Sequence, residues 1–136
     1  MLSSPTPLAR WRHFLPDESG LALGRAIAAL RDDGVLVLAS GNATHNLSQR
    51  APPGAPPFPW VRAFDDWLVG RVEAGDDAAL VDYLAQGPDA ARNHPSADHY
   101  VPLLVALGAA GAGARGRRLH ASFLDATLAM TAFEFS

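Results

Sequence analysis

GVLVLASGNATHNL, Gly34 to Leu47, decides how the rest of the 136-residue chain is read. Val35-Leu36-Val37-Leu38-Ala39 is a continuous apolar run with Gly34 before it, the pattern of a strand covered on both faces of a parallel sheet. The run stops at Ser40-Gly41-Asn42, turn residues that tolerate unusual backbone angles. Thr44, His45 and Asn46 therefore emerge at the carboxyl edge of a sheet, where α/β folds bind ligands. A histidine between two hydrogen-bonding neighbours is placed to act there. The plain alternative is a surface-loop histidine with no duty.

Upstream, the period changes. Leu23, Ile27 and Leu30 recur at i, i+4 and i+7, Arg25 and Arg31 flank them, and Gly34 supplies a stop, so a helix from Ser19 feeds the central strand. Helix, turn and buried strand make one αβ unit, and a sheet with helices on both faces needs several. Residues 1–18 carry Pro5, Pro7, Pro16 and Trp11 with no sustained period, and read as an irregular lead-in in which His13 is a surface residue. The expected organisation is this lead-in followed by a single α/β domain over residues 19–136.

Downstream, Ser48 to Pro59 is too rich in proline for a helix interior or a central strand, and Pro59 suits the first position of a helix. Trp60, Phe64, Trp67, Leu68 and Arg71 mark one face of that helix, with Arg62, Asp65 and Asp66 towards the other. Leu80, Val81 and Leu84 point a shorter helix inward over Asp77 to Ala85, ended by Gly87-Pro88. DAARNHPSADHYV, residues 89–101, is a second polar island. His94 and His99 are five apart and Pro95 lies between them, so they do not share a helix face. Ser96 or Asp98 caps a helix carrying Val101, Leu104, Val105 and Leu107, with Pro102 in its first turn. His99 then sits at the positive end of a helix dipole, which favours a neutral, ligand-ready imidazole. The competing reading makes Asp98 and His99 a mere capping pair. Gly108 to Gly116 has flexible-linker composition and matches no phosphate loop, and Ala126 to Phe135 reads as a final strand with an irregularity.

Composition narrows the function. The formal charge is −3 and the isoelectric point near 5.9. With Arg115 to Arg118 as the only basic cluster, nucleic acid is a poor partner. The absence of cysteine excludes disulfides and thiolate chemistry. No stretch has the apolar length of a membrane span or signal peptide, so the sequence reads as soluble and cytoplasmic.

Three stretches taken together resemble a known family: LGRAIAALRDDGVLVLASGNATHNL (23–47), FPWVRAFDDWL (58–68) and HPSADHYVPLLVALGAAG (94–111). They are similar, in order and spacing, to the C-terminal half of the LigB-type class III extradiol ring-cleavage dioxygenases, nearest the 4,5-DOPA dioxygenase subgroup. The resemblance implies a partial three-layer α/β fold, a mainly parallel or mixed sheet flanked by helices, lacking the family's N-terminal half. It implies cleavage of a catechol-type ring with O₂. His45 matches the family's acid/base histidine and His99 its C-terminal metal ligand, with Asn46, Thr44, His94 and Tyr100 in supporting places. The implied metal is Fe(II), or Zn(II). A mononuclear iron site needs three protein ligands on one face, and a histidine titrating near neutrality can take and return a catechol proton. The family draws two further histidine ligands from an early motif that residues 1–20 do not contain, and His13 does not match it. The chain therefore reads as a C-terminal half, from a truncated gene, a misplaced start or a split protein, completed by a separately encoded N-terminal half or a homo-oligomer.

Two other classes stay open. One is a non-catalytic remnant or interaction domain that pairs with itself or another chain. The other is a hydrolase with a metal on His94, His99 and His120.

Overall fold

The computed structural model describes residues 17–49 and 51–136. His13 and the rest of residues 1–16 lie outside them; Asp17 and Glu18, expected in the lead-in, open the first helix instead. Helix α1, Asp17–Ile27, runs into a 3₁₀ helix, Ala28–Asp33, which Gly34 ends in the left-handed conformation expected of a glycine stop. Helix α2, Pro59–Ala74, starts on Pro59 as expected and ends on left-handed Gly75. Three short helices follow: α3, Asp77–Val81; α4, Tyr83–Gln86; and α5, Ala90–Asn93. The long helix α6 is Val101–Ala110, with Pro102 in its first turn.

The remaining chain forms two antiparallel pairs. Strand β1, Gly116–His120, pairs with β4, Ala132–Phe135, with an irregularity between Arg118 and His120. Strands β2, Phe123–Leu124, and β3, Leu128–Ala129, form a small hairpin whose turn holds Asp125 and Ala126 at positive φ. The class is α/β as expected, but the ladders among the described residues are two antiparallel pairs and not the mainly parallel or mixed sheet expected, because the apolar run that was to form its central strand pairs with none of them. Gly108 to Ala110 belong to α6 and Gly116 to β1, so the presumed linker shrinks to the turn between them.

α1 and α6 lie side by side in parallel. Gly20 meets Val101 and Leu104, and Gly24 meets Val105, Gly108 and Ala109. A Cβ on Gly24 would stand 2.1 Å from the Val105 carbonyl, and one on Gly108 2.2 Å from that of Leu21. Backbone packs on backbone here, which no larger residue permits. Arg31 fastens the far end, donating to the Ala109 and Ala110 carbonyls at 3.3 and 3.1 Å, where a cation also suits the helix terminus. The buried face of α1 is consequently Gly20, Leu21 and Gly24, not the Leu23 and Leu30 expected; those two are exposed. The core lies beneath α6, where Phe64, Leu68 and Val72 of α2 meet Leu80, Tyr83, Tyr100, Leu104, Leu107 and Ala129.

The expected central strand is the largest correction. Val35–Ala39 joins no ladder among the described residues, and Leu36 and Leu38 are 84% and 86% exposed. A run of apolar residues signals burial only where neighbouring strands and a covering layer exist, and none of the described residues supplies them. Smaller corrections follow from the same limit of periodicity. Tyr83 is buried and Leu84 exposed, Asp65 is buried on α2, Arg71 is exposed, and Trp60 is half-buried beneath the Arg92 guanidinium, 4.2 Å from its ring. Among the described residues no helix is long and apolar enough to cross a membrane.

Candidate functional site

The loop after the extended segment is held from three sides. The Asn42 N–H donates to the His99 carbonyl at 3.0 Å, and the His45 N–H to the Asn93 carbonyl at 2.9 Å. Thr44 is fully buried, its hydroxyl donating to the Thr127 carbonyl at 2.9 Å and accepting from the Ala129 N–H at 2.7 Å. Asn46 donates to the Arg92 carbonyl at 2.6 Å, while its side-chain oxygen accepts from the Ser48 and Gln49 N–H groups, a local turn that an Asx side chain favours. Thr44 and Asn46 are thus structural ties on either side of His45, whose ring is half-exposed.

His94 forms the third side. It is 3% exposed and edged by the rings of Phe64, Tyr83 and Tyr100. Its Nε2 lies 2.8 Å from the Ala43 carbonyl. A carbonyl only accepts, so Nε2 carries the proton and donates. Nδ1 is then a buried lone pair without a hydrogen-bond partner among the described residues. Burial, which penalises the imidazolium, is the main cause that lowers the His94 pKa to about 4, against a smaller opposing effect of the Ala43 bond. His94 is neutral at pH 7.

These ties bring the two polar islands together. The imidazoles of His45 and His99 stack with centroids 3.5 Å apart and planes 7° from parallel. Asp98 stands 3.3 Å from His99 Nδ1 and also accepts from the Ser96 hydroxyl. Burial, then the neighbouring His99, hold the His45 pKa below its ordinary value, with Asp98 opposing. The N-cap residue of α6 is Tyr100, which makes no side-chain capping bond, rather than Ser96 or Asp98. Tyr100 itself is buried, stacks on Tyr83 at 3.8 Å and donates its hydroxyl to the Leu80 carbonyl at 2.7 Å. Its ring supports the site from the core.

His99 borders a groove of about 340 Å³. It is lined by the extended chain from Leu38 to Ala43, by residues from the end of β3 at Ala129 into β4, and by Pro102 and Leu103 of α6. The lining is mostly apolar, which suits a planar organic molecule more than a highly charged one.

His120 is exposed on β1 and bonded to the Ser122 hydroxyl at 2.8 Å. Among the described residues no group of three or more His, Asp or Glu side chains is placed to hold a metal. The hydrolase reading on His94, His99 and His120 therefore falls. Sequence reasoning also missed Asn93, fully buried, whose side chain donates to the Trp60 and Asp89 carbonyls while its own carbonyl holds His45. An asparagine in a polar island gives no sign of such a post.

A family model described as the catalytic LigB subunit of aromatic ring-opening dioxygenase matches residues 13–133. The 4,5-DOPA dioxygenase extradiol of Beta vulgaris is 34% identical over 114 residues, covering 84% of this chain and 42% of that protein. The protein of the same name from Escherichia coli K12 is 37% identical over 91 residues, 64% of this chain and 33% of the relative. The crystal structure of uncharacterized protein JW3007 from Escherichia coli K12 matches with a TM-score of 0.74 at 29% identity, over 88% of this chain and 50% of that one. The chain thus spans less than half the length of these curated relatives.

Proposed function

The chain belongs to the LigB family of aromatic ring-opening dioxygenases, and we propose on that premise that it carries part of a site for extradiol cleavage of a catechol-type ring with O₂. The observation that supports this best is the stacking of His45 on His99, the histidine that borders the apolar groove. In this reading the residues 19–136, with Asp17 and Glu18, act as one α/β unit.

His45 is the acid/base. Its lowered pKa keeps it neutral at pH 7, so it accepts the proton of a catechol hydroxyl and returns it as the ring opens. The ties through Thr44, Asn46, Asn93 and His94 hold its main chain still, so that little ordering is left to be done when substrate arrives. The groove walls take the apolar face of the ring and keep water from it.

The metal implied by the family, Fe(II) or Zn(II), needs more donors than the described residues offer. His99 contributes one imidazole, and no three-donor cluster exists among these residues to complete a centre. We therefore assign His99 as a single ligand and place the remaining donors in polypeptide outside the described residues.

The second reading, a non-catalytic association domain, draws on the exposure of Leu36 and Leu38. Co-expression with the portion of a relative that the chain does not span separates the two. Catechol turnover and metal uptake that vanish in His45→Ala and His99→Ala respectively support the first; a stable assembly indifferent to both substitutions supports the second.

A further inference from the structure

Leu36 to Gly41 is a largely apolar stretch of main chain with no backbone partner among the described residues. The Val35 N–H donates to the Leu30 carbonyl at 3.1 Å and the Asn42 N–H to the His99 carbonyl at 3.0 Å, and between them no backbone group is hydrogen-bonded to the described residues. The segment is extended, and its two faces differ. Val37 and Ala39 are half-buried, whereas Leu36 and Leu38 stand almost fully in solvent. Leu38 to Gly41 also lines the groove together with β4, a strand that pairs only with β1 among the described residues. Unpaired edges and a bare apolar face are two separate deficits.

A second copy of this chain meets only one of them. Two-fold antiparallel pairing about Val37 would set Leu36 opposite the partner's Leu38 on one face. It would satisfy one edge and leave four leucines together in water. A polypeptide that brings both a strand and a covering layer meets both deficits. The fold has that much chain to contribute, since this sequence covers 42% of the Beta vulgaris relative and 50% of the solved structure it matches.

We propose that Leu36–Gly41 is a docking strand for the part of the LigB fold outside this sequence, which adds a β-strand along it and covers Leu36 and Leu38. The proposal rests on the reading that further LigB-fold polypeptide completes the site, and it names the surface where that polypeptide binds.

The test uses the whole 136-residue chain, co-expressed with the part of the Beta vulgaris relative outside its 114 matched residues, and in parallel with the corresponding part of the Escherichia coli relative. Expected is a 1:1 complex in which the amides of residues 36–41 exchange slowly with deuterium, while in the chain alone they exchange at once. Leu36→Glu/Leu38→Glu, folded by circular dichroism because both side chains are exposed, loses the complex. The proposal is overturned if neither probe forms a complex, if amides 36–41 stay unprotected in it, or if the chain alone dimerises with those amides protected. Protection without catechol turnover would remove the catalytic reading and leave the docking strand standing. Turnover without protection would do the reverse.

Discussion

His45 and His99, 54 residues apart in sequence by their numbers, stack ring on ring at 3.5 Å. Two imidazoles so placed cannot both carry a proton cheaply, and His99 is the second cause, after burial, of the lowered His45 pKa. In His99→Ala the His45 pKa should rise towards 6.5 without reaching it, because burial remains. Titration of the His45 ring proton resonance by NMR checks this, and an unchanged or lowered value would refute the coupling. Both rings are half-exposed, so either alanine variant should cost no more than about 0.5 kcal/mol in stability. In an assembly that turns over catechol, His45→Ala should lower kcat by about 10²–10⁴-fold, the usual contribution of a positioned acid/base.

His94 makes stability depend on acid. Its folded pKa, about 4, lies below the ordinary 6.5, so between these values the unfolded chain binds more protons than the folded one. Stability therefore rises with pH across that window, is fully present above about pH 6.5, and is lost as pH falls towards 4. At about 1.4 kcal/mol per unit, the loss is about 3 kcal/mol. Urea unfolding at pH 7 and pH 4.5 should show it, and His94→Phe should flatten the difference while lowering stability at pH 7 through the lost Ala43 bond. A His94→Phe profile as steep as that of the parent would exclude this histidine as the source.

The two polar islands were legible because turn residues after an apolar run, and a histidine just ahead of an apolar helix, are local patterns. Their meeting is not local: it depends on Thr44 reaching Thr127 and Ala129, and on Asn93 accepting from His45. The start of α2 and the glycine stop after the 3₁₀ helix were legible for the same reason, since Pro59 and Gly34 act through their own backbone. Helix faces were less so. Hydrophobic periodicity points α1 inward through Leu23 and Leu30, but the contact that governs it is made by glycines, which periodicity does not score. Arg117 and Arg118 hid β1, because a two-stranded pair open to solvent tolerates charge on both faces. The exposure of Leu36 and Leu38 was not legible because burial depends on what packs around a segment and not on the segment's own residues.

Glycines at the α1–α6 contact give a sharp contrast. Gly24→Ala and Gly108→Ala each drive a Cβ into backbone atoms that cannot rotate away, so the helices must separate. The expected cost is about 3 kcal/mol or more for either. Gly70→Ala, on the exposed side of α2 with nothing within 4 Å of the added carbon, should stabilise by about 0.5–1 kcal/mol. Thermal melts of the three variants decide it; a tolerated Gly24→Ala would mean that the helices do not pack as closely as described.

Asp65 should be a group the fold tolerates rather than needs. It is 3% exposed, accepts from the Thr131 hydroxyl at 2.6 Å, and burial raises its pKa above the usual carboxylate value despite that bond. Above 3.8 the folded chain therefore holds a proton that the unfolded chain has lost, and stability falls as pH rises through the window up to the raised folded value. Asp65→Asn keeps an acceptor for Thr131 and cannot ionise. At pH 7 it should match or exceed the parent in stability, and the difference should shrink as pH falls and the parent's carboxyl takes up its proton. Thr131→Val should go the other way, costing about 1 kcal/mol for the lost bond and pushing the Asp65 pKa higher. Denaturant midpoints for both variants at pH 7 and pH 4.5 make the comparison. An Asp65→Asn variant less stable than the parent at pH 7, by more than its loss at pH 4.5, would show that the ionised carboxylate is favoured by the fold and that the raised pKa is wrong.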